Sequence, residues 1–372
     1  MRARSREESV EWVSRELPKW EGTGIVRGAI IGPIPFSMSR IAAVAVGVNR
    51  LKLISIVSPC YNEEGNVEQL YLRTRETLRK FPQYRYEHIF IDNASTDRTV
   101  EILRGLAATD SAIKVIVNAR NVGHIRSPHH AFQCAEGDAV AILLSDLQDP
   151  PELIGEMIAE WERGTPIVVG IKNSSDESGL MYGIRTLYYR TVAMLTNIEV
   201  LEHYTGFGLY DRKVVDIIRT RFPDPYPYFR GIIAEIGLPY KAVYYNQKRR
   251  ERGITKNNFY TLYDIAMLGI TNLSKVPLRL VTFVGFVFAL LSALVGMGYF
   301  VAKLVFWNNF TIGIAPVVVG LFFFGSVQLV ALGVIGEYVG SIHTMVQNRP
   351  LVIERERINF DESVGSDEKL KG

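Results

Sequence analysis

The stretch AVAILLSDLQDPPE, Ala139–Glu152, decides how this chain is read. Its first six residues, Ala139 to Leu144, are an unbroken apolar run, the pattern of a strand buried on both faces of an α/β sheet. The run stops at Asp146, followed by Gln148 and Asp149, and Pro150-Pro151 turn the chain. In open α/β sheets ligands bind beyond the carboxyl ends of the strands, so these acids are placed to hold a divalent cation, and a cation bridging a pyrophosphate is the first expectation. The competing reading is that Asp146 and Asp149 only cap a helix that starts near Pro151.

The segments before this stretch repeat its pattern. Strands are expected at Leu53–Ser58, Tyr86–Ile91 and Ile113–Val117, and helices at Asn66–Lys80, Thr99–Ala107 and Ser127–Ala135. Strands alternating with helices of this length imply βαβ units and a mostly parallel, Rossmann-like sheet. Each strand ends in a polar cluster: Pro59-Cys60-Tyr61-Asn62-Glu63-Glu64, Asp92-Asn93-Ala94-Ser95-Thr96-Asp97, and Asn118-Ala119-Arg120-Asn121-Val122-Gly123. Glu63, Asp92, Arg120 and Asp146 would therefore meet in one crevice, with acids for sugar hydroxyls or a metal and a base for phosphate. No GxGxxG follows the first strand and no GxxxxGK[ST] occurs at a strand-to-helix turn, which weighs against dinucleotide oxidoreductases and P-loop NTPases.

Beyond Glu152 a helix to about Arg163, a strand at Pro166–Ile171, a long aromatic and basic helix at Leu180–Asn197, a helix at Lys213–Arg221 and a strand at Lys241–Tyr245 are expected. That last strand opens onto Gln247-Lys248-Arg249-Arg250-Glu251-Arg252-Gly253-Ile254-Thr255-Lys256. Such a basic run just ahead of a hydrophobic region suits a lipid phosphate or an anionic headgroup surface; otherwise it is a topogenic charge cluster without a ligand. Asn257–Ser274 reads as an amphipathic helix lying along an interface. Leu280–Val301 and Ile314–Ile335 hold no formal charge and are each long enough to span a bilayer. Lys275 and Arg279 precede them and Arg349, Arg355 and Arg357 follow, so the positive-inside rule puts both ends in the cytoplasm. Glu337–Val346 reads as interfacial and Phe360–Gly372 as a charged, disordered tail.

The balance of 42 basic and 39 acidic residues, net +3, argues against nucleic acid or another strongly charged partner for the whole chain. Cys60 and Cys134 are too few for a disulfide framework or zinc site and are expected as small core residues. Residues 1–50 do not resemble a secretory signal; they are read as an appendage, or Met38 lies nearer the true beginning.

Taken in order, these motifs resemble the polyprenyl-phosphate glycosyltransferases of glycosyltransferase family 2, which include bacterial undecaprenyl-phosphate sugar transferases and dolichol-phosphate mannose synthases. The resemblance rests on Pro59–Glu64, Asp92–Thr99, Arg120–Gly123, Gly137-Asp138, Asp146–Pro151, the basic run closing in Gly253–Lys256, Pro277-Leu278-Arg279, two spans, Gly336-Glu337-Tyr338 and Asn348-Arg349-Pro350. It implies a GT-A catalytic domain over 51–253, after an extension over 1–50. An interfacial helix over 254–279, two transmembrane helices over 280–340 and a cytoplasmic segment over 341–372 would follow.

The implied reaction moves a sugar from a nucleotide-sugar donor to a polyprenyl phosphate, with inversion, at the cytoplasmic face of a bacterial-type inner membrane. Pro59, Tyr61, Asn62, Glu63, Asp92, Arg120 and Asp146 would bind the donor nucleotide. Asp146, with Asp149 or Gln148, would hold Mg²⁺ or Mn²⁺. Arg250 and Lys256, helped by Arg249 or Arg252, would receive the acceptor phosphate; Asp146, Arg250 and Lys256 are the catalytic assignments. Membrane lipids and a homotetramer are further implied partners.

Two departures stand out. Leu144-Ser145-Asp146 replaces the commoner Asp-x-Asp, and Thr205-Gly206-Phe207-Gly208 replaces Gly-Asp-Phe-Arg; Asn93-Ala94 likewise replaces Asp-Gly. Glu202, His203, Asp211 or Glu235 is near enough in sequence to substitute, and spacing does not choose among them. The missing acids are what a non-catalytic lipid-binding scaffold would show. A processive polysaccharide synthase would carry Gln-x-x-Arg-Trp, which is absent.

Overall fold

The computed structural model describes residues 51–173, 204–247, 267–272, 274–306, 314–347 and 349–360. The expectations placed on the N-terminal extension, the Leu180–Asn197 helix, the basic run from Lys248 to Lys256 and the tail beyond 360 lie outside these residues, as do Glu202 and His203. So does most of the expected Asn257–Ser274 helix.

Eight strands form one sheet in the order β7-β5-β6-β4-β1-β2-β3-β8. They are β1 (Leu53–Cys60), β2 (Arg85–Asp92), β3 (Ile113–Asn118), β4 (Ala139–Ile142), β5 (Ile167–Lys172), β6 (Tyr204–Asp211), β7 (Tyr240–Tyr245) and β8 (Glu354–Ile358). β1 is parallel to β2 and β4, β2 to β3, and β5 to β7. β6 is antiparallel to both β4 and β5, which makes β5 and β7 parallel to the first four. Six carboxyl ends thus share one edge of the sheet. The chain order reverses between β1 and β4, creating the crevice in which α/β proteins bind ligands.

Alternate residues of the buried strands feed two cores. On one face Ile54, Ile56, Phe90, Val115 and Ala141 pack with Leu70 of α1 (Val67–Leu78), Leu103 of α2 (Thr99–Thr109) and Met157 of α4 (Leu153–Glu162). On the other, Val57, Ile89, Ile116 and Val140 meet Phe132 of α3 (Arg126–Cys134), Val215 of α5 (Arg212–Arg221) and Ile232 of α6 (Phe229–Ile236). The period-two alternation explains why the strands read as continuous apolar runs: both faces are covered.

The expected strand at Ala139–Leu144 ends at Ile142. Leu143 still donates its amide to Val57 O at 2.9 Å, after which the backbone turns into the acidic loop. β6, α6 and β8 carry no expectation from the sequence. Cys60 is buried as expected, whereas Cys134 is only half-buried, because it ends α3 beside the incoming β8.

Two long helices follow, α7 (Val276–Val305) and α8 (Ile314–Gln347). Their most apolar parts, Val276–Ala302 and Gly320–Gln347, have mean hydropathies of 2.4 and 1.6 and are long and apolar enough to cross a membrane. At ~1.5 Å per residue the helices run about 45 and 51 Å, more than the ~30 Å hydrocarbon core of a bilayer. Phe286, Leu321, Phe322 and Leu329 are exposed along them, a surface suited to lipid rather than water. The two helices meet where Phe288 lies edge-on to Phe323 and Phe324, at 5.8 and 6.0 Å. Tyr338 also donates to Ser274 O at 2.6 Å, just ahead of α7. Glu337–Val346, expected as a separate interfacial piece, is the last part of α8, since no proline or glycine pair interrupts its backbone hydrogen bonds.

Candidate active site

The site is assembled from the loops that leave the shared edge of the sheet. β1 and β2 end side by side, with Cys60 opposite Asp92 in register. Past β1, Asn62 adopts a left-handed φ of 57°; its amide donates to Ser95 Oγ, and its side-chain oxygen accepts from Thr96 N at 2.8 Å. Glu63 is buried; its amide donates to Thr99 Oγ1, and Oε2 accepts from Asn66 Nδ2. Asn62 and Glu63 therefore brace the β1 and β2 loops against each other, while Pro59 and Tyr61 are half-buried beside them.

Asp92 is fully buried at the end of β2. Oδ2 accepts from Ser95 N at 2.9 Å, but Oδ1 has no hydrogen-bond partner among the described residues. Burial raises its pKa against the lowering effect of the Ser95 bonds. A buried carboxylate oxygen left in this state calls for an N–H or O–H donor from a ligand.

A set of amides holds the next loop. Asn93 Nδ2 donates to Asn121 Oδ1 and Gly123 O, and Asn93 Oδ1 accepts from Asn118 Nδ2 and Val122 N. Asn118 Nδ2 also donates to Ser127 Oγ. Both halves of the Asn93 amide are used, and a carboxylate could supply only the acceptor half. This network shapes the 119–123 turn from which Arg120 projects into solvent.

The acidic loop after β4 closes the crevice. Leu147 has φ 59°, a strained conformation for a branched side chain, and stands between half-buried Asp146 and half-buried Gln148. Asp146 Oδ1 accepts from Gln148 N at 3.2 Å. Asp149 is fully buried; the Tyr245 hydroxyl donates to its Oδ1, and its Oδ2 has no hydrogen-bond partner among the described residues. Burial, opposed by the Tyr245 bond and by Lys172 and reinforced by Asp146, pushes its pKa up to about 6. The following helix α4 has Glu152 at its N-cap with no side-chain capping bond, so neither Asp146 nor Asp149 caps it.

The donor set suits a hard divalent cation. Asp146 raises the proton affinity of Asp149, whose buried Oδ2 has no hydrogen-bond partner among the described residues, and a cation held between the two carboxylates would relieve both.

The sequence profile described as Glycosyl transferase family 2 matches residues 55–219. The chain is 33% identical over 301 residues to the SfII prophage-derived bactoprenol glucosyl transferase of Shigella flexneri, covering 81% of this chain and 96% of that one. The chain belongs to glycosyltransferase family 2. An uncharacterized glycosyltransferase of Synechocystis is 34% identical over 81% of this chain and 94% of its own length. Among solved structures, glucosyl-3-phosphoglycerate synthase from Mycobacterium tuberculosis, in complex with Mn²⁺, uridine diphosphate and phosphoglyceric acid, aligns over 68% of this chain and 82% of that one at 17% identity and a TM-score of 0.43.

As a glycosyltransferase, the chain brings Pro59, Tyr61, Asn62, Glu63, Asp92, Arg120, Asp146, Gln148 and Asp149 to one sheet edge. Arg249, Arg250, Arg252 and Lys256 lie outside the described residues. Sequence reasoning missed Ser95, Asn118 and Tyr245. Ser95 and Asn118 stand in the polar clusters at strand ends and Tyr245 is the last residue of an expected strand on the same edge, but no role was assigned to any of them.

Proposed function

We propose that this glycosyltransferase moves a sugar from a nucleoside-diphosphate sugar to a polyprenyl phosphate, as in the undecaprenyl-phosphate enzymes, at the cytoplasmic membrane face. The observation that carries this reading is one chain combining a strand-end crevice, holding buried carboxylate oxygens on Asp92 and Asp149 that have no hydrogen-bond partner among the described residues, with two exposed apolar helices joined to the same sheet. The bactoprenol glucosyl transferase name of its Shigella flexneri relative supports a lipid acceptor.

Asp92 would accept a hydrogen bond from the nucleoside, and Arg120 would meet the charge of the diphosphate. Asp146, with Gln148 or Asp149, would hold Mg²⁺ or Mn²⁺, which when bound supplies charge neutralisation at the departing diphosphate. The acceptor is a phosphate monoester with a second pKa of about 6, so it arrives largely as a dianion and needs no strong general base. Position and charge compensation are its requirements, and Arg250 and Lys256, with Arg249 or Arg252, would meet them. A single displacement of this kind inverts the anomeric carbon.

The test is label transfer from a panel of UDP- and GDP-sugars to undecaprenyl phosphate by the detergent-purified protein, with Mg²⁺, Mn²⁺ or chelator. One lipid-linked product is expected, lost with chelator and reduced ~10²-fold or more in Asp146→Asn. No product from any donor, together with no nucleotide binding, would overturn the proposal in favour of a non-catalytic role.

A further inference from the structure

The bond between Tyr245 and Asp149 joins two elements of the fold as well as orienting a carboxylate. Asp149 belongs to the acidic loop after β4, and Tyr245 is the last residue of β7, from which the chain runs directly into the basic segment. We infer that Tyr245 is a positioning residue which fastens the donor-side acidic loop to the segment that receives the acceptor phosphate. The inference rests on the reaction proposed above.

Three observations carry it. First, the bond is sequestered: Asp149 is fully buried, Tyr245 is 5% exposed, and the bond links positions 96 residues apart in sequence. A neutral donor on a buried carboxylate makes a charge-assisted bond, stronger than a neutral pair and costly to lose because it leaves the acid unsatisfied.

Second, the ring is held independently of its hydroxyl. It lies edge-on to Phe207 with centroids 5.7 Å apart, and a Cβ added at Gly170 would come 3.2 Å from it. The backbone of Tyr245 is fixed as well, by pairing opposite Lys172 and by accepting from Asn173 N at 2.9 Å. Packing and sheet pairing thus place the ring, and the hydroxyl supplies the tie to Asp149.

Third, the tethers on both sides are short. Lys248, where the basic run begins, is three residues past Tyr245, and Asp146 is three residues before Asp149. At ~3.3–3.6 Å per residue, three residues of chain reach at most about 11 Å from Cα to Cα. The hydrogen bond therefore limits how far the start of the acceptor segment can stray from the donor's charged centre. Alignment of a phosphate nucleophile with an anomeric carbon is what such a limit serves.

The experiment compares full-length wild-type protein with Tyr245→Phe, which keeps the ring and removes the hydroxyl. Calorimetric binding of the donor's nucleoside diphosphate with Mg²⁺, kcat and KM for undecaprenyl phosphate, and the melting temperature are measured on both. Nucleotide affinity is expected to change by less than about threefold, while kcat/KM for the lipid falls about 10- to 100-fold. Rescue is expected from neither added nucleotide nor added cation. An unchanged lipid kcat/KM overturns the inference. So does a loss of nucleotide affinity that matches the loss of transfer, since Tyr245 would then serve the donor site alone. Absence of transfer by the wild-type protein with every donor would instead remove the reaction itself, and this inference with it.

Discussion

Ala94 shows how much of this site is set by single backbone torsions. It holds a φ of 62°, as Asn62 and Leu147 hold 57° and 59° on neighbouring strand ends. The left-handed conformation costs an L-residue roughly 1–2 kcal/mol, whereas glycine costs about 0.5–1 kcal/mol in extra freedom of the unfolded chain. The first figure is the larger, so Ala94→Gly is expected to leave the protein equally stable or up to ~1.5 kcal/mol more stable. Ala94→Val, β-branched, should lose more than that; melting temperatures of the three proteins at one scan rate check the order. Glu63, Asp92 and Asp146 were legible because chain direction alone puts a residue just past a strand at the binding edge. The roles of Asn118, Ser95 and Tyr245 were not, because each depends on which side chain the strand register brings opposite. Asn93 reads in sequence as a departure from an acid; in the structure it is the amide that two donor and two acceptor bonds require.

Among the elements, β8 carries the most unexpected role. Its sequence, ERERI, reads as a charged linker, yet it pairs antiparallel with β3 and closes one edge of the sheet. Alternating charge is tolerated because an edge strand has one solvated side, and it also discourages pairing with other chains. The buried strands were legible from apolar continuity; β6, YTGFGLYD, was not, since two glycines interrupt its pattern, although Gly208 faces Val168 O closely enough that a Cβ would clash at 2.6 Å. A cluster fastens β8 to α3: His130 and Arg357 both bond Glu354, with Cys134 against both cations and His129 one residue away. Burial opposes the charge on His130, but bonds to Cys134 and Glu354 overcome it and raise its pKa to about 9. Burial likewise opposes ionised Glu354, but Arg357 and His130 bring it down to about 2. Raised His130 contributes stability in full below its ordinary value near 6.5 and loses it as pH rises through about 9. Depressed Glu354 contributes in full above about 4.5 and loses it as pH falls toward about 2. Amide exchange in β8, corrected for intrinsic rates, should therefore lose about tenfold or more of its protection between pH 6.5 and 9.5 in the wild type. In His130→Gln the protection is expected to be lower at pH 6.5 and nearly flat over that range; an equally steep loss would mean the pair does not hold the strand.

At the scale of the whole molecule, the sheet constrains how the apolar helices can cross a bilayer. Strands β1 to β7 precede α7 and α8, and β8 follows them, yet all eight belong to one sheet. The link is short: Ala119 N donates to Ile353 O at 2.8 Å, six residues by number past Gln347 at the end of α8. A sheet cannot be divided by a membrane, because its edge groups would be stranded in hydrocarbon. If α7 and α8 span, they must do so as a pair that returns the chain to the side it left, and the α7–α8 connection must lie on the other. Charge agrees with this, since Lys275 precedes α7, Arg279 lies in its first turn and Arg349 follows α8. Reporter fusions in a bacterial inner membrane check it: alkaline phosphatase joined after Asn309 should be active, and green fluorescent protein joined after Gly372 should fluoresce. Removing β8 from the second fusion, by truncating after Arg349 and adding two arginines to restore the charge of Arg355 and Arg357, separates the two causes. If charge alone sets the topology, fluorescence persists; if pairing with β3 is needed to hold α8 in place, it falls. Persistence is the expected outcome, because about 1 kcal/mol per basic residue near an anionic surface acts before the sheet can close. The strand then stabilises an orientation already chosen, and what the truncated protein should lose is transfer, through the loosened turn that carries Arg120.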